Sequence, residues 1–167
     1  MGDHTEAMQV DFDPQQIGFE DIATLFWKTH NPCAKPYSRQ YMSAIWYHDD
    51  QQQEFVGGLL AAANDRFDGG VTTSVEPLAA FYLAEDYHQK YRLQSKRNLM
   101  SVFQTMYPMF NDFNNSTAAA RLNAFAAGDG SRRLFEQEVD QYGFPRKELE
   151  SAVCYAIRCG PITSRVG

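Results

Sequence analysis

The chain has 167 residues, with 15 Lys and Arg against 21 Asp and Glu, so its formal net charge is −6. That length fits one domain better than two, and 44% hydrophobic with 14% aromatic residues excludes a disordered or low-complexity chain. An acidic balance without a basic run argues against nucleic acid or an anionic membrane as partner, and no stretch approaches the roughly 20 apolar residues of a membrane span.

Residues 8–12 alternate apolar and polar before Asp13-Pro14, which predicts a half-buried strand stopped by a turn. Phe19, Ile22, Ala23 and Phe26 fall at i, i+3, i+4 and i+7, so an amphipathic helix follows and fades at Thr29-His30-Asn31 before Pro32. A loop over 31–39 leads to residues 42–47, an apolar run expected to be a central strand covered on both faces. Residues 51–64 predict a second helix despite Gly57-Gly58, and the β-branched 71–75 predict a strand ending near Pro77. Beyond about residue 95 the pattern is helical, over 96–106, 117–126, 131–141 and 146–158. Ser116, Gly128, Gly143, Pro145 and Gly160-Pro161 supply its punctuation. The expected organisation is an α+β part over 1–95 and a small all-helical extension over 96–167.

Four constellations carry ionisable or nucleophilic groups. His4 and Glu6 stand just before the first predicted strand, where a cleft could collect them and a frayed terminus would leave them solvated. Arg39, Gln40 and Tyr41 stand at the mouth of the apolar strand, where a tyrosine hydroxyl can donate to a ligand oxygen or tie to backbone. In residues 81–91, dense in aromatics, Glu85 lies one helical turn from His88 and could orient its imidazole. The third has no His-x-x-x-His or Cys-x-x-Cys partner, so no metal is expected. Cys154 and Cys159 would point about 140° apart on a helix, which disfavours a disulfide between them. Three cysteines, with Cys33, are too few for a secreted disulfide framework, and the first twenty residues show no leader pattern, so a cytoplasmic, reducing setting is expected.

Gly-x-His-Thr-Glu running into Gln-Val-Asp-Phe-Asp-Pro, Phe-Glu-Asp-Ile-Ala-Thr-Leu-Phe-Trp-Lys-Thr-His-Asn-Pro, Ser-Arg-Gln-Tyr-Met-Ser-Ala-Ile-Trp-Tyr-His and Ala-Glu-Asp-Tyr-His-Gln-Lys-Tyr occur in this order. Together they resemble the peptide methionine-(S)-sulfoxide reductase family, MsrA, over residues 2–95. The helical tail looks like the extension of insect-type animal members. The resemblance implies an MsrA-like two-layer sheet and helix domain with a ferredoxin-like core. It also implies reduction of peptidyl or free methionine-(S)-sulfoxide by a cysteine thiolate, with recycling by thioredoxin or dithiothreitol and no bound cofactor. Glu6 matches the family's proton donor and Tyr41 one of its oxygen-binding tyrosines. His4, Gln40 and His88 would line the substrate.

The family's nucleophile belongs to a Gly-Cys-Phe-Trp element, which this sequence does not contain. The expectation is therefore of an N-terminally truncated member in which the nucleophile is absent and Cys33 is the only substitute at the loop before Tyr41. The expected partners are thioredoxin and methionine-sulfoxide proteins or free methionine sulfoxide, with a monomeric state. The alternatives are a non-catalytic module that binds sulfoxide peptides or proteins, and a fragment that does not fold stably.

Overall fold

The computed structural model describes residues 4–159, and within 151–159 the side chains of Val153 and Ile157 only. The chain divides into two compact units between Phe81 and Tyr82. The fold is α+β, with eight α-helices and one two-stranded parallel sheet among the described residues.

In the first unit, residues 7–12 join no ladder, contrary to the predicted strand. A period-two pattern becomes a strand only where a neighbour accepts its backbone. Here Met8 and Val10 are 84% and 46% exposed, and the segment is tied at its base, where the Glu6 amide donates to the Gln40 carbonyl at 2.9 Å. Helix α1, Phe19–Thr29, forms as its spacing predicts and buries Ala23. It ends where the Thr29 hydroxyl donates to the Leu25 and Phe26 carbonyls, three residues before Pro32.

Strand β1, Ala44–Tyr47, pairs in parallel with β2, Ser74–Pro77, in the register Ala44 to Ser74 and Tyr47 to Pro77. Helix α2, Asp50–Arg66, makes the crossover that parallel strands require and packs against both strands and α1. The expectation of a central strand covered on both faces is corrected. All four β1 residues are half-buried, because β2 is the single neighbour among the described residues. Strand β2 starts three residues later than predicted, since the Thr72 and Thr73 amides donate to the Pro32 carbonyl instead of a strand.

Asp49 caps α2 by accepting from the Gln52 amide at 2.8 Å. Gly57 and Gly58 lie exposed in the middle of that helix, and a Cβ built on either meets nothing within 4 Å. Each costs helix propensity with no packing in return, so Gly57→Ala and Gly58→Ala are each expected to stabilise the chain by about 0.5–1 kcal/mol. A rise in denaturant midpoint at constant slope checks this.

In the second unit the predicted helical stretches appear as α4, Arg97–Met106, α6, Thr117–Ala127, α7, Arg132–Glu138, and α8, Arg146–Cys159. A 3-10 turn, Val139–Tyr142, takes up the end of the third stretch. Two short helices went unpredicted, α3, Tyr91–Gln94, and α5, Phe110–Asn114. Ser116 and Ser131 cap α6 and α7, and Gly128 and Gly143 take the left-handed conformation (φ 92° and 72°) that closes a helix end.

The core joins Leu93, Leu99, Phe103, Phe113, Leu122 and Phe135, with the inner face of α8 at Leu149 and Val153. Leu93 belongs to this core, and its amide donates to Asn123 Oδ1 on α6 at 3.1 Å. The compact units therefore divide ahead of α3, whereas the boundary at 95/96 expected from the sequence falls after it.

A polar network sits beside this core. Arg121 on α6 makes two hydrogen bonds to the Glu138 carboxylate, and the Tyr142 hydroxyl donates to the same group. Burial pushes the Glu138 carboxyl up, but the bonds from Arg121 and Tyr142 outweigh it and hold the group below its ordinary 4.5. Burial, then the bond to Glu138, push the Tyr142 phenol well above its usual 10. A carboxyl with a depressed folded-state pKa contributes stability above its unfolded value, and that stability is lost as pH falls through the folded one. Acid denaturation is therefore expected to begin below about pH 4.5 in part through Glu138. Glu138→Gln should flatten that limb of a pH series of denaturant midpoints, and an unchanged limb would contradict it.

Candidate active site

Of the predicted residues of the first unit, Glu6, Gln40 and Tyr41 belong to one short structure. Residues 31–38 run from α1 into a 3-10 turn, Arg39–Tyr41, just before β1. The turn closes with the Tyr41 amide on the Ser38 carbonyl at 3.1 Å and the Met42 amide on the Arg39 carbonyl at 3.3 Å. The Arg39 and Gln40 carbonyls of this turn face the chain segment at residues 5 and 6.

That segment is held at three points. Thr5 Oγ1 donates to the Arg39 carbonyl at 3.0 Å, the Glu6 amide donates to the Gln40 carbonyl at 2.9 Å, and Gln40 Nε2 donates to Glu6 Oε1 at 2.8 Å. Glu6 and Gln40 are thus clasped through backbone and side chain together, 34 residues apart in sequence. Glu6 is exposed, Gln40 is half-buried, and the Tyr41 ring is 57% exposed.

The clasp orients the carboxyl. Gln40 Nε2 donates to Oε1, so Oε2 is the carboxyl oxygen that the clasp does not engage. The Glu6 carboxyl is thereby held in a fixed direction, against a turn that also carries the Tyr41 phenol. Sequence reading singled out Gln40 as a substrate contact, while the structure also makes it the orienter of Glu6. The signal available for that was its position next to Tyr41, which fixes neither its hydrogen bonds nor their partner.

His4 is exposed two residues before Glu6. Cys33 is half-buried in the loop, with its amide on Asn31 Oδ1 at 3.0 Å. His88 belongs to the second unit, in a 3-10 turn, Asp86–His88, with Nε2 3.9 Å from Glu85 Oε2 and both side chains mostly exposed. That distance is too long for a hydrogen bond, and a contact this exposed contributes little. Cys154 and Cys159 lie on α8, and their side chains fall outside the described residues. Among the described residues no group of three His, Cys, Asp or Glu could hold a metal ion, and no helix is long and apolar enough to cross a membrane.

Comparison with known proteins adds a second line. The family model described as peptide methionine sulfoxide reductase matches residues 1–121, a span that contains the whole clasp. The chain is similar to a peptide methionine sulfoxide reductase of Drosophila melanogaster, 37% identical over 157 residues, or 93% of this chain and 62% of that protein. It is also similar to MsrA of Methanosarcina mazei, 35% identical over 61% of this chain and 51% of the relative. MsrA of Halobacterium salinarum is 39% identical over 53% of this chain and 54% of the relative. The chain thus spans between half and about three fifths of the length of these relatives.

Proposed function

Since the chain belongs to the peptide methionine sulfoxide reductase family, we propose that it carries the proton-donating part of a site that reduces methionine-(S)-sulfoxide to methionine at the expense of thiols. The observation that carries this reading is the Glu6–Gln40 clasp beside Tyr41.

A sulfoxide oxygen leaves sulfur only as it gains protons. The Glu6 Oε2 proton goes to that oxygen, and the Tyr41 hydroxyl donates a hydrogen bond to it as charge develops. A thiol then attacks the sulfoxide sulfur, and an S–S bond forms as the S–O bond breaks and the protonated oxygen leaves as water. Water attacks the thiol-derived sulfur in turn, which breaks the S–S bond, releases methionine, leaves a sulfenic acid and returns the proton. A second thiol displaces water from that sulfenic acid and forms a disulfide. Overall one sulfoxide and two thiols give methionine, a disulfide and water. Dithiothreitol or thioredoxin serves as the dithiol, in a reducing compartment such as the cytoplasm, with the protein a monomer. His4 and Gln40 line the substrate in this reading, and Glu6 and Tyr41 act on its oxygen.

Cys33, in the loop before Tyr41, is the candidate in this sequence for the attacking thiol. A reductase assay on a peptidyl methionine-(S)-sulfoxide with dithiothreitol tests it. Turnover abolished by Cys33→Ser assigns the nucleophile to Cys33. Turnover unaffected by that change excludes it.

The missing Gly-Cys-Phe-Trp tetrapeptide favours one further reading, a module that binds sulfoxide peptides without reducing them. Calorimetry distinguishes it by saturable binding without turnover. Neither turnover nor binding would overturn both readings.

A further inference from the structure

His30 stands one residue beyond α1 and meets two polar groups. Its Nδ1 lies 2.7 Å from the Phe26 carbonyl oxygen and its Nε2 2.9 Å from Thr73 Oγ1. A carbonyl oxygen only accepts, so Nδ1 bears a proton. In the neutral ring Nε2 then holds the lone pair, and the Thr73 hydroxyl donates to it.

Thr73 Oγ1 has a competing acceptor, the Pro32 carbonyl at 3.3 Å. That oxygen already receives the Thr72 amide at 2.7 Å and the Thr73 amide at 3.3 Å. The Pro32 carbonyl is thus supplied by backbone donors, whereas His30 Nε2 depends on the Thr73 hydroxyl. Thr73 is 5% exposed, the one buried polar residue among those described, so water does not readily replace that bond. The His30 ring is further packed against Phe26, with centroids 4.3 Å apart, and Trp27, at 5.7 Å.

The same two threonines grip the turn that follows His30. Thr72 Oγ1 donates to the Ala34 carbonyl at 2.7 Å, while the Ala34 amide donates to the Asn31 carbonyl at 3.1 Å. The loop that ends at Gln40 and Tyr41 is therefore fastened at its start to the lead-in of β2. This also accounts for residues 72 and 73 standing outside the strand.

We propose that His30, held as its Nδ1-protonated tautomer, and Thr73 are positioning residues that fix the turn at 31–34 and, through the loop it begins, the placement of Gln40 against Glu6. Its bearing on catalysis rests on the reading of Glu6, Gln40 and Tyr41 given above. The tautomer does not.

The test is nitrogen-15 NMR of the full labelled chain at about pH 8.5, where a histidine ring is neutral. Long-range nitrogen–proton correlations are expected to show Nδ1 of His30 protonated and Nε2 as the pyridine-like nitrogen. Thr73→Val should make the Thr72 and Thr73 amides exchange with solvent at least about fivefold faster. It should also move the Gln40 side-chain amide resonances, and Thr73→Ser should restore both. A bond that merely stabilises the fold would leave the Gln40 side chain unmoved, and that result overturns the positioning role. An Nε2-protonated ring in the wild-type chain overturns the proposal without recourse to any variant, so it remains decidable if Thr73→Val fails to fold. Since no step needs turnover, a failed reductase assay leaves the tautomer standing, and a wrong tautomer leaves the Glu6 reading standing.

Discussion

Glu6→Gln is expected to lower the rate of sulfoxide reduction by about 10²–10⁴-fold, the usual contribution of a positioned general acid. Glutamine has the shape of the protonated acid and keeps the groups that hold residue 6 in place. Its side-chain oxygen can still accept from Gln40 Nε2, and its amide still donates to the Gln40 carbonyl. The O–H on the other side of the carboxyl becomes an N–H, too weak an acid to release a proton to the sulfoxide oxygen. The loss should therefore appear in kcat, with KM changed little, because the proton moves only in the transition state. A KM effect with kcat preserved would make Glu6 a binding residue. The circular dichroism melt of the variant should match that of the parent, because Glu6 is exposed and its backbone bond survives.

Phe103→Ala is expected to destabilise the second unit by about 3–5 kcal/mol. Phe103 is completely buried in that unit's core. Its ring meets Phe113 edge-on at 5.3 Å and Phe144 at 4.4 Å, so α4, α5 and the residue before Pro145 all depend on it. Removing the ring leaves a cavity that three different segments would have to close at once, and relaxation can fill only part of it. The expected loss is a large part of the whole stability of a small domain. Urea unfolding followed by far-ultraviolet dichroism measures it. A loss below about 1 kcal/mol would show that the helices do not share one core.

Much of this fold is legible in the sequence because its helices carry their own signals. Phe19, Ile22, Ala23 and Phe26 mark the buried side of α1, and Ser116, Gly128 and Gly143 punctuate the second unit where the sequence places them. Both differences among the strands have one physical cause, since each depends on a partner distant in sequence. Residues 8–12 have a strand's alternation, but alternation does not supply a neighbouring ladder. Val71, Thr72 and Thr73 have high strand propensity, yet two of their amides are drawn to Pro32, some 40 residues away. The short helices α3 and α5 last one turn or little more, too short for a 3.6-residue period to register.

The candidate site divides in the same way. Glu6 and Tyr41 came from matched motifs, but the carboxyl–amide clasp that gives Glu6 a direction spans 34 residues and is visible only in the fold. In the sequence His30 marks only the fading end of a helix. The pattern His-Asn-Pro before a Cys-bearing loop is no guide to a hydrogen bond with Thr73, 43 residues on.

The central claim is that Glu6, Gln40 and Tyr41 together form the sulfoxide-oxygen site, and it is most directly tested by mapping where a sulfoxide binds. Titrating the labelled chain with an N-acetyl methionine-(S)-sulfoxide amide should shift the Gln40 side-chain amide and the backbone resonances of Glu6 and Tyr41 together and saturably. Tyr41→Phe should weaken the binding, and the R epimer should bind less tightly. Saturable shifts that fall elsewhere on the chain and spare Glu6, Gln40 and Tyr41 would contradict the claim.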